Sequence, residues 1–111
     1  MITAYKATAE IVSAYDDGKV ATESGIVEIS RCGVCGHTTV TAAFCGYLAQ
    51  EEDTTESLSE IHMLATEAAH RAIIETGEYI GCQIGFLYLG EEIKDAYRGK
   101  ALDIFNGGAA A

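Results

Sequence analysis

Residues 30–46 read SRCGVCGHTTVTAAFCG and hold three of the four cysteines of the chain. Cys32 and Cys35 form C-x-x-C, a spacing that brings two thiolates close together on a turn or across the first turn of a helix. A metal ion needs that chelate, and so does a reversible disulfide. Gly33 and Gly36 each follow a cysteine, and glycine there lets backbone amides point at sulfur. Arg31 adds positive charge beside Cys32, which favours the thiolate. His37 stands two residues after Cys35, and Cys82 lies far downstream in the apolar run YIGCQIGFLYLG.

Three chemistries are open to this set. Four cysteines, Cys32, Cys35, Cys45 and Cys82, would hold an iron–sulfur cluster. Cys32, Cys35 and Cys82 with His37 would hold zinc. Cys32 and Cys35 alone would make a redox dithiol, with Cys45 and Cys82 as buried core thiols. The position of Cys45 depends on the element that carries it. On a helix continuous from the turn it would lie about 15 Å along the axis from Cys35, too far to share an ion.

The segment CGVCGH, read as the start of a helix, resembles the cysteine motif of the alkylhydroperoxidase-like (carboxymuconolactone decarboxylase) family. That resemblance implies an all-helical fold and thiol reductase or peroxidase activity, with Cys32 or Cys35 attacking and His37 as base. RCGVCGH is also similar to the first metal-binding motif of nickel–iron hydrogenase large subunits. In the first family the histidine falls four residues after the second cysteine, and here it falls two. The hydrogenase pattern needs a second C-x-x-C near the C-terminus, where this chain reads NGGAAA.

Other candidates carry less. Glu67 and His70 form E-x-x-H, half of a di-iron carboxylate site, with no second copy of the motif. His62 lies about 80° round the same predicted helix from His70, so the two do not share a ligand face. No G-x-G-x-x-G, P-loop or G-x-S-x-G occurs. The six tyrosines are spread through apolar stripes as amphipathic core residues.

Composition narrows the setting. The chain has 111 residues, the size of one domain, and 49% of them are hydrophobic. Seventeen acidic against seven basic residues give a net charge of −10. Such a surface repels phosphate backbones and anionic lipid, so a nucleic-acid partner is not expected. No signal peptide is visible at MITAYKATAE, and YIGCQIGFLYLG is too short for a bilayer span. A cytoplasmic protein is the expectation, and thiols in a reducing compartment are metal-binding, catalytic or buried more often than disulfide-bonded.

The elements that would position the cysteines follow from periodicity. Ile2, Tyr5, Ala9, Val12 and Tyr15 recur at helical spacing and end at DDG, residues 16–18. KVATESGIVEIS is β-branched, with Ser24–Gly25 as a turn, so a short hairpin is expected. Val40, Phe44 and Leu48 predict a helix after the cysteine turn. EEDTTES reads as an acidic loop, followed by two capping-box patterns, Asp53 with Glu56 and Ser57 with Glu60. These open a helix with Leu58, Ile61, Ala65, Ala68 and Ala72 on one face, ending near Gly77. Residues 79–105 start apolar and turn amphipathic, and periodicity leaves helix and buried strand both open there. A helix would put Gly81 and Gly85 on one close-packing face, and the final NGGAAA should fray.

The expectation is a mostly α protein: a small helical bundle over residues 1–111, with a short extended segment or hairpin before the C-x-x-C turn. Its expected role is a cysteine-based metal or redox-responsive accessory acting with protein partners in a larger assembly, with a homo-oligomer also open. The alternatives are a thiol–disulfide reductase or peroxidase, and a structural interaction module whose cysteines are core.

Overall fold

A computed structural model of the chain describes residues 2–16, 18–55 and 57–93. The architecture is mostly β, which corrects the expected all-α bundle. Five strands, β1 (Ile2–Ser13), β2 (Lys19–Arg31), β3 (His37–Phe44), β4 (Tyr47–Thr54) and β5 (Cys82–Glu92), form one sheet. Its order is β4-β3-β2-β1-β5, and every neighbouring pair is antiparallel. One helix, α1 (Leu58–Ile74), follows β4 and lies across one face of the sheet.

The first predicted helix is a strand because its buried residues follow a period of two. Ala7, Ala9 and Ile11 face the helix, while Ala4 faces the other way with Ile26 and Ala43. The recurrence of Ile2, Tyr5, Ala9, Val12 and Tyr15 gave the segment a helical look, but Ile2, Thr3, Thr8, Ile11 and Val12 are β-branched and suit a pleated surface. DDG does not close a helix. Its Gly18 belongs to the β1–β2 turn, where Ser13 N–H donates to Gly18 O at 2.9 Å.

The expected Ser24–Gly25 turn lies inside one continuous strand of 13 residues. Gly25 is there for a close approach: a Cβ on it would lie 2.3 Å from Ala43 O and 2.6 Å from Phe44 Cδ1. The helix expected from Val40, Phe44 and Leu48 is two strands instead. Val40, Ala42 and Phe44 are buried on one side of β3, and Leu48 is exposed on β4. Cys45 and Gly46 join them at φ 56° and 84°, the two positive values of a type I′ hairpin turn. The segment read as an acidic loop contributes Glu51–Thr54 to β4.

The long helix stands where expected. Ser57 caps it, its hydroxyl accepting from the Glu60 N–H, and the chain leaves it through Gly77 at φ 75°. Ile61, Ala65, Ala68 and Ala72 are buried against the sheet, whereas Leu58 is exposed. Position 56 of the other capping pattern lies outside the described residues, and Asp53 is in β4. Residues 82–92 form the strand of the two alternatives, on which Gly85 meets Val12 rather than a helix. The NGGAAA expectation lies outside the described residues.

The helix also touches both outer strands. Arg71 donates to Gln50 O of β4 at 2.9 Å, and His62 Nε2 lies 2.7 Å from Leu87 O of β5. Each contact covers a carbonyl on an edge strand, where unpaired backbone groups would otherwise template association. Among the described residues no helix is long and apolar enough to cross a membrane.

Candidate functional site

The C-x-x-C motif is the tip of the β2–β3 hairpin. Arg31 pairs with Thr38 at the last rung of the ladder, and residues 32–36 close the turn. Cys32 N–H donates to His37 O at 2.9 Å, and Gly36 N–H donates to Cys32 O at 3.0 Å. Gly36 takes φ 75°, a value that glycine adopts without a Cβ penalty. Gly36 O then accepts from Thr55 N–H at 3.2 Å, which ties the tip to the start of α1. Arg31 and Thr38 both reach Thr55 O as well, at 3.4 Å.

This turn leaves both thiols free and exposed, with Val34 at its summit 98% exposed. The Cys32 thiol is held down at about 7, first by the Cys35 backbone N–H, then by the Cys35 thiol and the Val34 N–H. The chain folds back on itself at this turn, an arrangement that concentrates N–H groups near an anion. The source differs from the one expected, since hydrogen bonds and not Arg31 lead the effect. His37, as a ligand or base, is directed elsewhere. Its Nε2 lies 3.5 Å from Glu52 Oε2 and 3.5 Å from Thr39 Oγ1.

The other two cysteines are far from the tip. Cys82 pairs with Ser13, while Ser30 pairs with Ile2 at the opposite end of β1. Eleven residues of strand separate those rungs, on the order of 35 Å at about 3.3 Å per residue. Cys45 follows Phe44, six residues along β3 from Thr38, or roughly 20 Å by the same rise. Both pack against the core cluster, in the manner of small apolar side chains. Among the described residues no three histidine, cysteine or acidic side chains are grouped to hold a metal. Neither the four-cysteine cluster nor the Cys32, Cys35, Cys82 and His37 set is assembled within the chain.

A second polar group lies around Cys45. Tyr79 O–H donates to the Glu23 carboxylate, and the Cys45 thiol lies beside the same residue. Burial and then Glu23 push the Cys45 thiol up to about 11. Glu23, as hydrogen-bond acceptor, and then burial push the Tyr79 phenol up to about 12. Both side chains therefore keep their protons and act as donors. Tyr79 and Glu23 are 56 residues apart in the chain, and no motif marked them.

The E-x-x-H pair divides. Glu67 is exposed, while His70 Nε2 is buried without a hydrogen-bond partner. His70 lines a shallow apolar cleft with Ile11, Ile73, Tyr79 and Cys82.

The all-helical architecture implied by the alkylhydroperoxidase-like resemblance is not the architecture of this chain. No protein-family model, curated protein or solved structure matches it.

Proposed function

We propose that the protein is a redox-responsive accessory whose working part is the Cys32–Cys35 hairpin tip. One observation carries this reading: the two thiols stand free and exposed together on the tip of the β2–β3 hairpin, where the Cys32 thiol is held down at about 7. Cys32 is the nucleophile and Cys35 the resolving thiol. The Cys32 thiolate attacks one sulfur of a partner's disulfide, forming a mixed disulfide and releasing the other sulfur as a thiolate. Cys35 then loses its proton to solvent and attacks the Cys32 sulfur. The Cys32–Cys35 disulfide forms, the second partner thiolate leaves, and two electrons have passed to the partner. Residues i and i+3 of a tight turn lie within about 7 Å at Cα, which is compatible with a disulfide after small adjustment. A cellular thiol restores the reduced pair.

The exposed tip on a chain of net charge −10 suits a protein partner in a reducing cytoplasm. The test is oxidation of metal-free protein with diamide in the presence of a chelator, followed by peptide mass analysis. An intramolecular Cys32–Cys35 disulfide, lost in Cys32→Ser, is the expected product. Tip thiols that stay reduced while Cys45 or Cys82 oxidises would reject it.

A further inference from the structure

We infer that the sheet face turned away from α1 is a docking surface for the chain's own C-terminal segment, residues 94–105. The inference is independent of the thiol chemistry proposed for Cys32 and Cys35.

The helix covers one side of the sheet, yet three apolar residues on the other side are withdrawn from solvent. Ala4 and Ala43 are 0% exposed and Ile26 is 8% exposed. They stand on neighbouring rungs of that face. Ala4 pairs with Glu28, and the next rung joins Lys6, Ile26, Ala43 and Leu48 from β1 to β4. Among the described residues, Ile93 is the partly buried apolar side chain packed against the three. Its N–H donates to Ala4 O at 2.8 Å, which fixes it at the β1 end of the patch. Ala43 lies two strand spacings from β1, about 10 Å away. The chain that follows Ile93 starts at one end of the patch and has the other end still to cover.

The sequence of that segment suits the patch in shape. At about 100° per residue, helical spacing lines Ile93, Tyr97, Ala101 and Ile104 along a stripe about 80° wide. Residues 94–105 would span about 18 Å as a helix, and the three spacings from β1 to Leu48 on β4 come to about 14 Å. The segment is therefore long enough to cross from Ala4 to the half-exposed Leu48.

It suits the patch in charge as well. The chain has seven basic residues against seventeen acidic, and Lys94, Arg98 and Lys100 are three of the seven. On helical spacing, Lys94 and Lys100 border the apolar stripe on either side, while Asp95 and Asp103 fall on the opposite half. The sheet face is acidic where those lysines would lie, with Glu28 beside Ala4 and Glu52 two residues further along the strands. Lysine stems can lie along the apolar strip while their ammonium groups reach these carboxylates. A second copy would bring its own net charge of −10, whereas a segment joined to Ile93 brings local positive charge at high effective concentration.

Limited trypsin digestion of the full-length chain, followed by mass spectrometry, tests this, because Lys94, Arg98 and Lys100 are themselves cleavage sites. Docked, they should be cut at least about tenfold more slowly than in a free peptide of residues 91–105, since cleavage then waits on release of the segment. Ile104→Asp and Tyr97→Asp, which put a carboxylate into the apolar stripe, should each restore most of the peptide's rate. Ala43→Glu should do so from the sheet side. Arg71, inside α1, should stay uncut, which separates release of the segment from unfolding; if Ala43→Glu unfolds the sheet, the two segment variants decide. Cleavage of the parent at the peptide's rate, or no acceleration in Ile104→Asp and Tyr97→Asp, would overturn the inference. Protection lost on dilution would overturn it too, by assigning the face to a second copy.

Discussion

Gly25 of β2 lies flat beneath Phe44 of β3, so close that a Cβ at position 25 would stand 2.6 Å from the ring's Cδ1. Phe44 is fully buried between sheet and helix, and the same Cβ would also stand 2.3 Å from Ala43 O. Gly25→Ala should therefore lose about 2 kcal/mol or more, an overpacking cost that outweighs any gain in strand propensity. Urea unfolding checks this. An unchanged midpoint would mean that the ring and strand move apart at no cost.

The tip and the core thiols should differ in reactivity. A thiol is nucleophilic only when deprotonated, so Cys32, at about 7, should react with iodoacetamide near neutral pH. Cys45, at about 11 and partly covered, should lag by at least tenfold at pH 8. Peptide mapping after timed alkylation in chelator gives both rates. Equal labelling of the two would contradict the hydrogen-bonded geometry of both sites.

Glu23 links the β2 strand to the 75–82 connection through Tyr79 and sits beside Cys45 of the β3–β4 turn, and this has a pH signature. Unfolded, the thiol and the phenol ionise near their ordinary values of 9.0 and 10.0; folded, they hold their protons to about 11 and about 12. Between pH 9 and 12 the unfolded state thus binds fewer protons, and stability falls as pH rises. Glu23→Gln should flatten that fall by removing the charge that opposes ionisation. Thermal melts of both proteins across this range decide it, and parallel curves would argue against a role for Glu23.

His70 Nε2 is buried in an apolar cleft without a partner, which costs free energy that an apolar side chain would not. His70→Leu should raise stability by about 1 kcal/mol, read as a higher urea midpoint at unchanged slope. A loss of stability would show that the ring is satisfied or packs better than leucine.

The helix α1 was legible because its signals are local. Ser57 and Glu60 sit three apart, the apolar residues recur every three or four, and Gly77 provides the left-handed exit. The strands were less legible. Ala4, Ala7 and Ala9 satisfy either period, and the alternation of Lys6, Thr8 and Glu10 with buried Ala7, Ala9 and Ile11 competes with a helical recurrence of apolar residues in the same segment. The β3–β4 turn was missed because its first positive-φ residue is Cys45, where asparagine or aspartate would have announced it.

For the site, Cys32 and Cys35 were visible as a pair because four residues of chain confine them wherever they lie. Their separation from Cys45 and Cys82 was not visible, since it depends on strand register. A rise of about 3.3 Å per residue turns a modest separation along a strand into tens of ångströms. The sequence by itself determined the thiol pair, its flanking glycines, the capped helix and the acidic surface, all properties of neighbouring residues or of totals. Only the tertiary structure decided that Cys32 and Cys35 stand exposed on a hairpin tip, that His37 faces Glu52, and that Tyr79 meets Glu23 across 56 residues. Those relations depend on which strands pair and in what register, and long-range pairing is selected by burial over the whole sheet rather than by any one segment.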